Sequence, residues 1–173
     1  MRIVALLGLA LALIVSPASA WEEYQYPDQG FAIQFPAAPL VETSVYETLL
    51  GPELPSKVYS VTYEDVFYKL TVVELDDRIE DGASLVGEIG YIFDREAQIL
   101  SHYNPRIGFD MKPAFGAGIV ADLSDGSRIR TSAFVYRGRY YRADAIVLPA
   151  RGDKDQAVPS RFDQTLRFNV ETP

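Results

Sequence analysis

Tyr26-Pro27-Asp28-Gln29-Gly30-Phe31-Ala32-Ile33-Gln34-Phe35-Pro36 reads as a turn, a short strand and a stop. Proline, aspartate and glycine in the first part are residues that favour a turn. Phe31, Ile33 and Phe35 then recur at period two and share one face, with Ala32 and Gln34 on the other. That pattern is a strand with one face in a core. The remaining strands are expected to assemble beside it.

Upstream, the sequence carries the marks of an export signal. Arg2 is a minimal positive start, and residues 3–15 form an almost unbroken apolar run. The run is shorter than the roughly 20 residues a bilayer span needs. Pro17 ends it, and Ala18-Ser19-Ala20 is a small-x-small cleavage site, which places the cut before Trp21. Residues 1–20 are therefore expected to be a signal peptide and residues 21–173 one domain, exported to the periplasm or beyond, with no later segment apolar enough to span.

A chain of about 150 residues buries roughly 70% of its unfolded surface, so it needs neither disulfide nor metal to fold. The sequence contains no cysteine, which removes thiolate metal sites and thiol chemistry. Its net charge is −8, and loss of Arg2 takes the processed form to −9. Nucleic-acid phosphates demand a basic footprint, so nucleic acid is a poor partner for it.

Downstream, residues 41–49 look like a half-exposed strand and residues 57–64 like another. Residues 67–75 are apolar on both faces, as in a strand interior to a sheet. The period then changes. Leu85, Ile89, Ile92, Phe93 and Leu100 follow helical spacing, with Asp81 or Ser84 as the cap. Gly87 and Gly90, three apart, would let that helix approach a sheet closely. A short strand is expected within residues 106–112. Residues 115–123, 128–136 and 139–148 read as a meander, its first hairpin turning at Asp125-Gly126 in a two-residue type I′ turn. Residues 156–166 suggest a second helix and residues 167–170 a last edge strand. Strands, helix, strands, helix, joined by hairpins, is an α+β pattern: a twisted, mostly antiparallel sheet with helices packed on it.

The Tyr-Pro-Asp-x-Gly-Phe-x-Ile-x-Phe-Pro opening resembles that of small uncharacterised exported proteins of alphaproteobacteria. The closing Arg161-Phe162-Asp163-Gln164-Thr165-Leu166-Arg167-Phe168 is similar to their C-terminal helix and strand. These proteins in turn resemble the PsbP-like fold, an α/β/α sandwich shared by a nuclear Ran-binding protein. The resemblance implies that architecture and a role in binding other proteins rather than catalysis. No functional residue is carried over from it.

The residues themselves offer few chemical constellations. His102, the single histidine, lies beside Ser101, but no Gly-x-Ser-x-Gly elbow is present; the plainer reading is a polar residue at a helix end. Asp76, Asp77, Glu80 and Asp81 crowd one loop with Glu74. They are weak calcium candidates, because their spacing does not match an EF-hand. Gly116-Ala117-Gly118 lacks the lysine and helix start of a phosphate loop and reads as a bulge or as close packing against a helix. No cofactor is expected. Between residues 128 and 142 stand Arg128, Arg130, Arg137, Arg139 and Arg142 with Tyr136, Tyr140 and Tyr141, a composition of interface hot spots. Strand alternation puts Tyr140 and Arg142 on the wetter face of theirs. If the register brings Arg128 and Arg130 beside them, the four make a partner surface; alternatively the arginines pair with the acidic half of the chain. The expected function is an exported, non-catalytic binding or accessory protein of the cell envelope, with a protein or polymer partner. The rival is an envelope hydrolase using His102 and carboxylates. Oligomeric state and partner identity are not legible.

Overall fold

The computed structural model describes residues 21–49, 51, 53–75, 82–107, 112–113, 115–155 and 157–168. β1 (Glu22–Tyr26) and β2 (Phe31–Phe35) form a hairpin around a 3-10 turn at Pro27–Gln29, closed by Gly30 at φ 71°. β3 (Leu40–Tyr46), β4 (Leu54–Tyr63) and β5 (Val66–Glu74) follow, then α1 (Ala83–Glu96) and β6 (Ala97–Tyr103). A two-stranded ribbon, β7 (Arg106–Ile107) with β8 (Lys112–Pro113), leads to the meander β9 (Gly116–Leu123), β10 (Arg128–Tyr136) and β11 (Arg139–Val147). α2 (Ala157–Gln164) and β12 (Arg167–Phe168) close the described chain.

The large sheet has seven strands in the order β3-β4-β5-β11-β10-β9-β6, every neighbour antiparallel. The small sheet, β1-β2-β12, does not extend it. The strand that opens the core therefore stacks face to face on the large sheet instead of acquiring neighbours within it. Three layers result: the small sheet with α2, the large sheet, and α1. The α+β expectation holds.

Each interlayer space has its own core. Phe31, Ile33 and Phe35 of β2 meet Tyr59, Leu70, Val72, Phe134 and Tyr141 of the large sheet, with Phe162 and Leu166 beside them. On the opposite face Leu85, Ile89 and Phe93 of α1 meet Val73, Ile119, Ala121, Ile129, Ala133 and Tyr140. β5 supplies both, with Leu70 and Val72 to one side and Val73 to the other, as its two apolar faces require.

The first core is dense in phenols. Burial pushes Tyr59 and Tyr68 up to about 12. For a group whose folded pKa is raised, stability is fully present below the unfolded value near 10 and is lost as pH rises through the folded one. An ultraviolet titration should therefore show late tyrosinate signal appearing together with loss of near-ultraviolet circular dichroism between about pH 10 and 12. Full tyrosinate absorbance at pH 10 in a still-folded protein would contradict this packing.

Several local expectations need correction. The first helix ends at Glu96, and Ala97 is already extended (φ −144°, ψ 165°). Ile99 and Leu100 belong to β6, whose pairing to β9 outweighs the continued helical spacing. The helix is capped by Gly82 at φ 68°, not by Ser84, while Asp81 lies outside the described residues. Gly87 and Gly90 have nothing within 4 Å of where a Cβ would stand, so they give no close approach to the sheet. Phe115 precedes β9 and is exposed. At Asp125-Gly126 only the glycine has positive φ. Three residues separate Leu123 from Ser127, and the Asp125 carboxylate accepts from the Ser127 amide and hydroxyl. The two-residue turns with both central residues at positive φ are Glu64-Asp65 (47°, 58°) and Arg137-Gly138 (48°, 73°).

Candidate functional site

Strand register separates the four residues expected to form a partner surface. Arg128 and Arg130 stand opposite Val147 and Ala145, which line the α2 side of the sheet. Tyr140 and Arg142 stand opposite Val135 and Ala133, which line the α1 side. A single Arg/Tyr patch does not form, because the two pairs lie on opposite faces. Nor are Tyr140 and Arg142 on a wet face: Tyr140 is fully buried against Tyr46, and Arg142 lies near the Phe93 ring.

What forms instead is two buried charge clusters. On the α1 side Asp144 is fully buried. Its Oδ1 accepts from Arg142 Nε at 2.9 Å and Thr131 Oγ1 at 2.6 Å, and Lys69 Nζ lies 3.2 Å from Oδ2. Burial pushes the carboxyl up, but the Arg142 and Lys69 charges with the Thr131 bond outweigh it and hold it below the usual carboxylate range. Burial likewise works against the Arg142 charge, and the Asp144 carboxylate more than restores it, leaving the guanidinium above its ordinary value. Arg142 and Asp144 share a face because they are two apart on a strand.

On the α2 side Arg130 grips Asp163 of α2 through Nε and an Nη, both at 3.1 Å. Ser132 Oγ donates to Asp163 Oδ2 at 2.5 Å, and Tyr103 of β6 reaches Ser132 Oγ (2.8 Å) and the Thr131 carbonyl (2.9 Å). The Arg130 guanidinium sits 3.9 Å from the centre of the Tyr103 ring, a cation–π contact. Burial, with the Asp163 charge adding to it, pushes the Tyr103 phenol well up. The ring needs Gly118 beneath it, since a Cβ there would stand 2.3 Å from Tyr103. The Gly-Ala-Gly run does pack closely, but against a tyrosine ring from the neighbouring strand and not the helix expected from sequence. The cluster ties α2, β10 and β6 together.

The remaining arginines are also engaged. Arg128 forms a two-pronged pair with Asp122 (2.7 and 2.9 Å), Arg139 meets Glu74 at 2.8 Å, and Arg137 lies over Tyr136. Internal pairing is the reading the structure supports, but only Arg139 uses the acidic half of the chain.

His102 lies on β6 opposite Ile119, exposed, not at a helix end. Tyr103, the next residue, turns to the Ser132–Asp163 cluster, so His102 faces away from it. Asp76, Asp77, Glu80 and Asp81 lie outside the described residues. Among the described residues no group of three or more His, Asp or Glu side chains is placed to hold a metal ion, and no helix is long and apolar enough to cross a membrane.

A part of the large sheet lies where α1 does not reach. α1 packs on β9, β6 and β10. On that same face, toward β3, Val58, Ser60, Phe67 and Lys69 remain half-exposed and Thr62 exposed. β3 continues this face to the sheet edge through Leu40, Glu42 and Ser44, all exposed, while Val41 and Val45 are exposed on the opposite face. Residues 41–49 read as half exposed from sequence, and β3 is exposed along most of its length.

No protein-family model matches the chain, and no curated protein matches it. Among solved structures the chain is similar to cyanobacterial PsbP (CyanoP) from Synechocystis sp. PCC 6803. The TM-score is 0.55 at 11% identity, over 94% of this chain and 98% of that one. At that identity the likeness concerns the fold, which is PsbP-like. A more distant likeness, from which nothing follows, is to PA94, a protein of unknown function from Pseudomonas aeruginosa, with a TM-score of 0.37 and 8% identity over 76% of this chain and 85% of that one.

Proposed function

We propose that this is an exported, non-catalytic binding or accessory protein of the cell envelope, which engages a protein or envelope polymer through the uncovered end of its large sheet. One observation carries the reading. Val58 and Phe67 lie part-exposed on the α1-side face beside Ser60, Thr62, Lys69 and Glu42, whereas the arginines that suggested a contact surface are spent on internal pairs. Apolar residues bordered by hydroxyls and charges on one sheet face make a surface suited to a complementary partner. The apolar run of residues 3–15 and the Ala18-Ser19-Ala20 site support export.

The test has two parts. N-terminal sequencing of the protein from the periplasmic or secreted fraction should begin at Trp21; retention of the apolar run in the cytoplasm overturns the address. A photo-reactive residue placed at Phe67 should then yield discrete adducts in intact cells, and one at Val158 on α2 should not. Adducts at Val158 with none at Phe67 would move the working surface to the other layer. Hydrolysis of envelope material that depends on His102 would favour the hydrolase reading over binding.

A further inference from the structure

We propose that the protein self-associates through β3: two copies pair their Leu40–Tyr46 edges antiparallel, about a two-fold axis passing through Thr43. This goes beyond the binding role above and concerns a different surface, the rim of the sheet and not its open face.

β3 ends the strand order. An edge strand presents a row of backbone donors and acceptors to any strand that approaches, and proteins normally blunt such edges with lysine, proline or a bulge. β3 has none of these. It reads Leu-Val-Glu-Thr-Ser-Val-Tyr, with one charge and no proline, and its register with β4 runs unbroken from Leu40↔Ser60 to Tyr46↔Leu54. Leu40, Val41 and Val45 are 61, 49 and 57% exposed. The opposite rim of the same sheet differs: β6 carries a register break between Ile99 and Ser101.

The sequence of the edge selects its partner. In an antiparallel pair centred on Thr43, Val41 faces Val45 of the second copy, Leu40 faces Tyr46, Glu42 faces Ser44, and Thr43 faces itself. Apolar residues meet apolar ones, and no charge meets its like. Moving the centre to Glu42 sets two carboxylates against each other. Moving it to Ser44 puts Val41 opposite Glu47 and Glu42 opposite Tyr46. All three registers are two-fold symmetric, as an isologous contact requires, and of them only the one centred on Thr43 satisfies the whole strand. Val41, Thr43 and Val45 share one face, so four valines and two threonines close into a row there. On the other face Leu40 covers the partner copy's Tyr46, which already packs on Tyr140. All three exposed aliphatic residues are buried by the same contact. The two sheets become continuous, and their open faces at Val58 and Phe67 come to lie side by side.

The experiment uses the purified protein in sedimentation equilibrium and a single-cysteine variant. The chain has no cysteine, so Thr43→Cys gives an unambiguous readout. Directly opposed strand residues have Cα atoms about 4.5–5.5 Å apart, within disulfide reach. Thr43→Cys should form a covalent dimer under mild oxidant at least about ten times faster than Leu100→Cys on the other rim. The wild type should show a monomer–dimer equilibrium that tightens with added salt, because both copies are acidic and the contact contains no ion pair. Val41→Lys with Val45→Lys should raise the dimer dissociation constant at least about tenfold. A wild type still monomeric at about 100 µM, a dimer indifferent to the lysines, or equal cross-linking at Thr43 and Leu100 would each overturn the proposal. Should the lysine variant fail to fold, the cysteine comparison alone decides. Failure here leaves Phe67 adducts unaffected, and loss of those adducts leaves the dimer unaffected.

Discussion

Asp144→Ala lowers the stability of the protein by about 3–5 kcal/mol, because it leaves the Arg142 guanidinium buried without its carboxylate. Arg142 Nε is 2.9 Å from Asp144 Oδ1, and the carboxylate is fully buried among Arg142, Thr131 and Lys69. Lys69 and Thr131 lose the same partner. Replacing both charges by apolar residues of similar volume, Arg142→Met with Asp144→Leu, should cost far less, since desolvation of two ions disappears along with their attraction. Urea unfolding of the single and double variants gives the comparison. A single variant within about 1 kcal/mol of wild type would mean that water reaches Asp144 and the cluster is not enclosed. The pair also sets an acid limit. The folded Asp144 pKa is depressed, so its contribution is present above the ordinary carboxylate value near 4 and is lost as pH falls through the folded value. Asp144→Asn should therefore flatten the stability profile below about pH 4 while lowering its neutral plateau.

Phe35→Ala has an effect of similar size, about 3–5 kcal/mol, with Phe31→Ala alongside it. Phe35 is fully buried, with its ring 5.0 Å from that of Phe162 and 6.1 Å from that of Tyr24. Phe31 meets Tyr59 and Tyr141 edge-on at 5.3 and 5.9 Å. Each truncation removes apolar burial and leaves a cavity between two sheets that cannot close without shifting one of them. Thermal melts of both variants measure this. A loss under about 1 kcal/mol at both would place β2 on the surface. A loss at Phe35 alone would mean that the tyrosine cluster around Phe31 rearranges to fill its space. These are large fractions of the 5–15 kcal/mol typical of a domain, so either variant should also reduce the amount of folded protein recovered.

The proposed binding surface and rim contact would rest on weaker single interactions than these cores. That is expected of a sheet whose interior charges are satisfied internally. Four of the five arginines between residues 128 and 142 are paired with carboxylates, and such pairs act mainly to fix register and layer packing. Arg130–Asp163 holds α2 on the sheet, and Arg142–Asp144 sits under the α1 layer. The proposed working surface is the part of the sheet that no helix covers among the described residues.

By itself the sequence determined what depends on neighbours in the chain. Period-two alternation put Phe31, Ile33 and Phe35 on one face, and it grouped Tyr141, Ala143, Ala145 and Val147 against Tyr140, Arg142 and Asp144. The meander and the second helix were legible for the same reason. The tertiary structure decided what covers each face. Alternation shows that Tyr140 and Arg142 point together, but only the position of α1 makes that side dry. It was also register, a property of two strands, that sent Arg128 and Arg130 to the opposite layer. The Arg130–Asp163 pair joins residues 33 positions apart, and nothing local marks it. The end of α1 at Glu96 followed from strand pairing with β9, a long-range interaction stronger than helical spacing. The exposed aliphatic residues of β3 were visible in the sequence as a strand; that the strand is the last of its sheet among the described residues is a fact of topology alone.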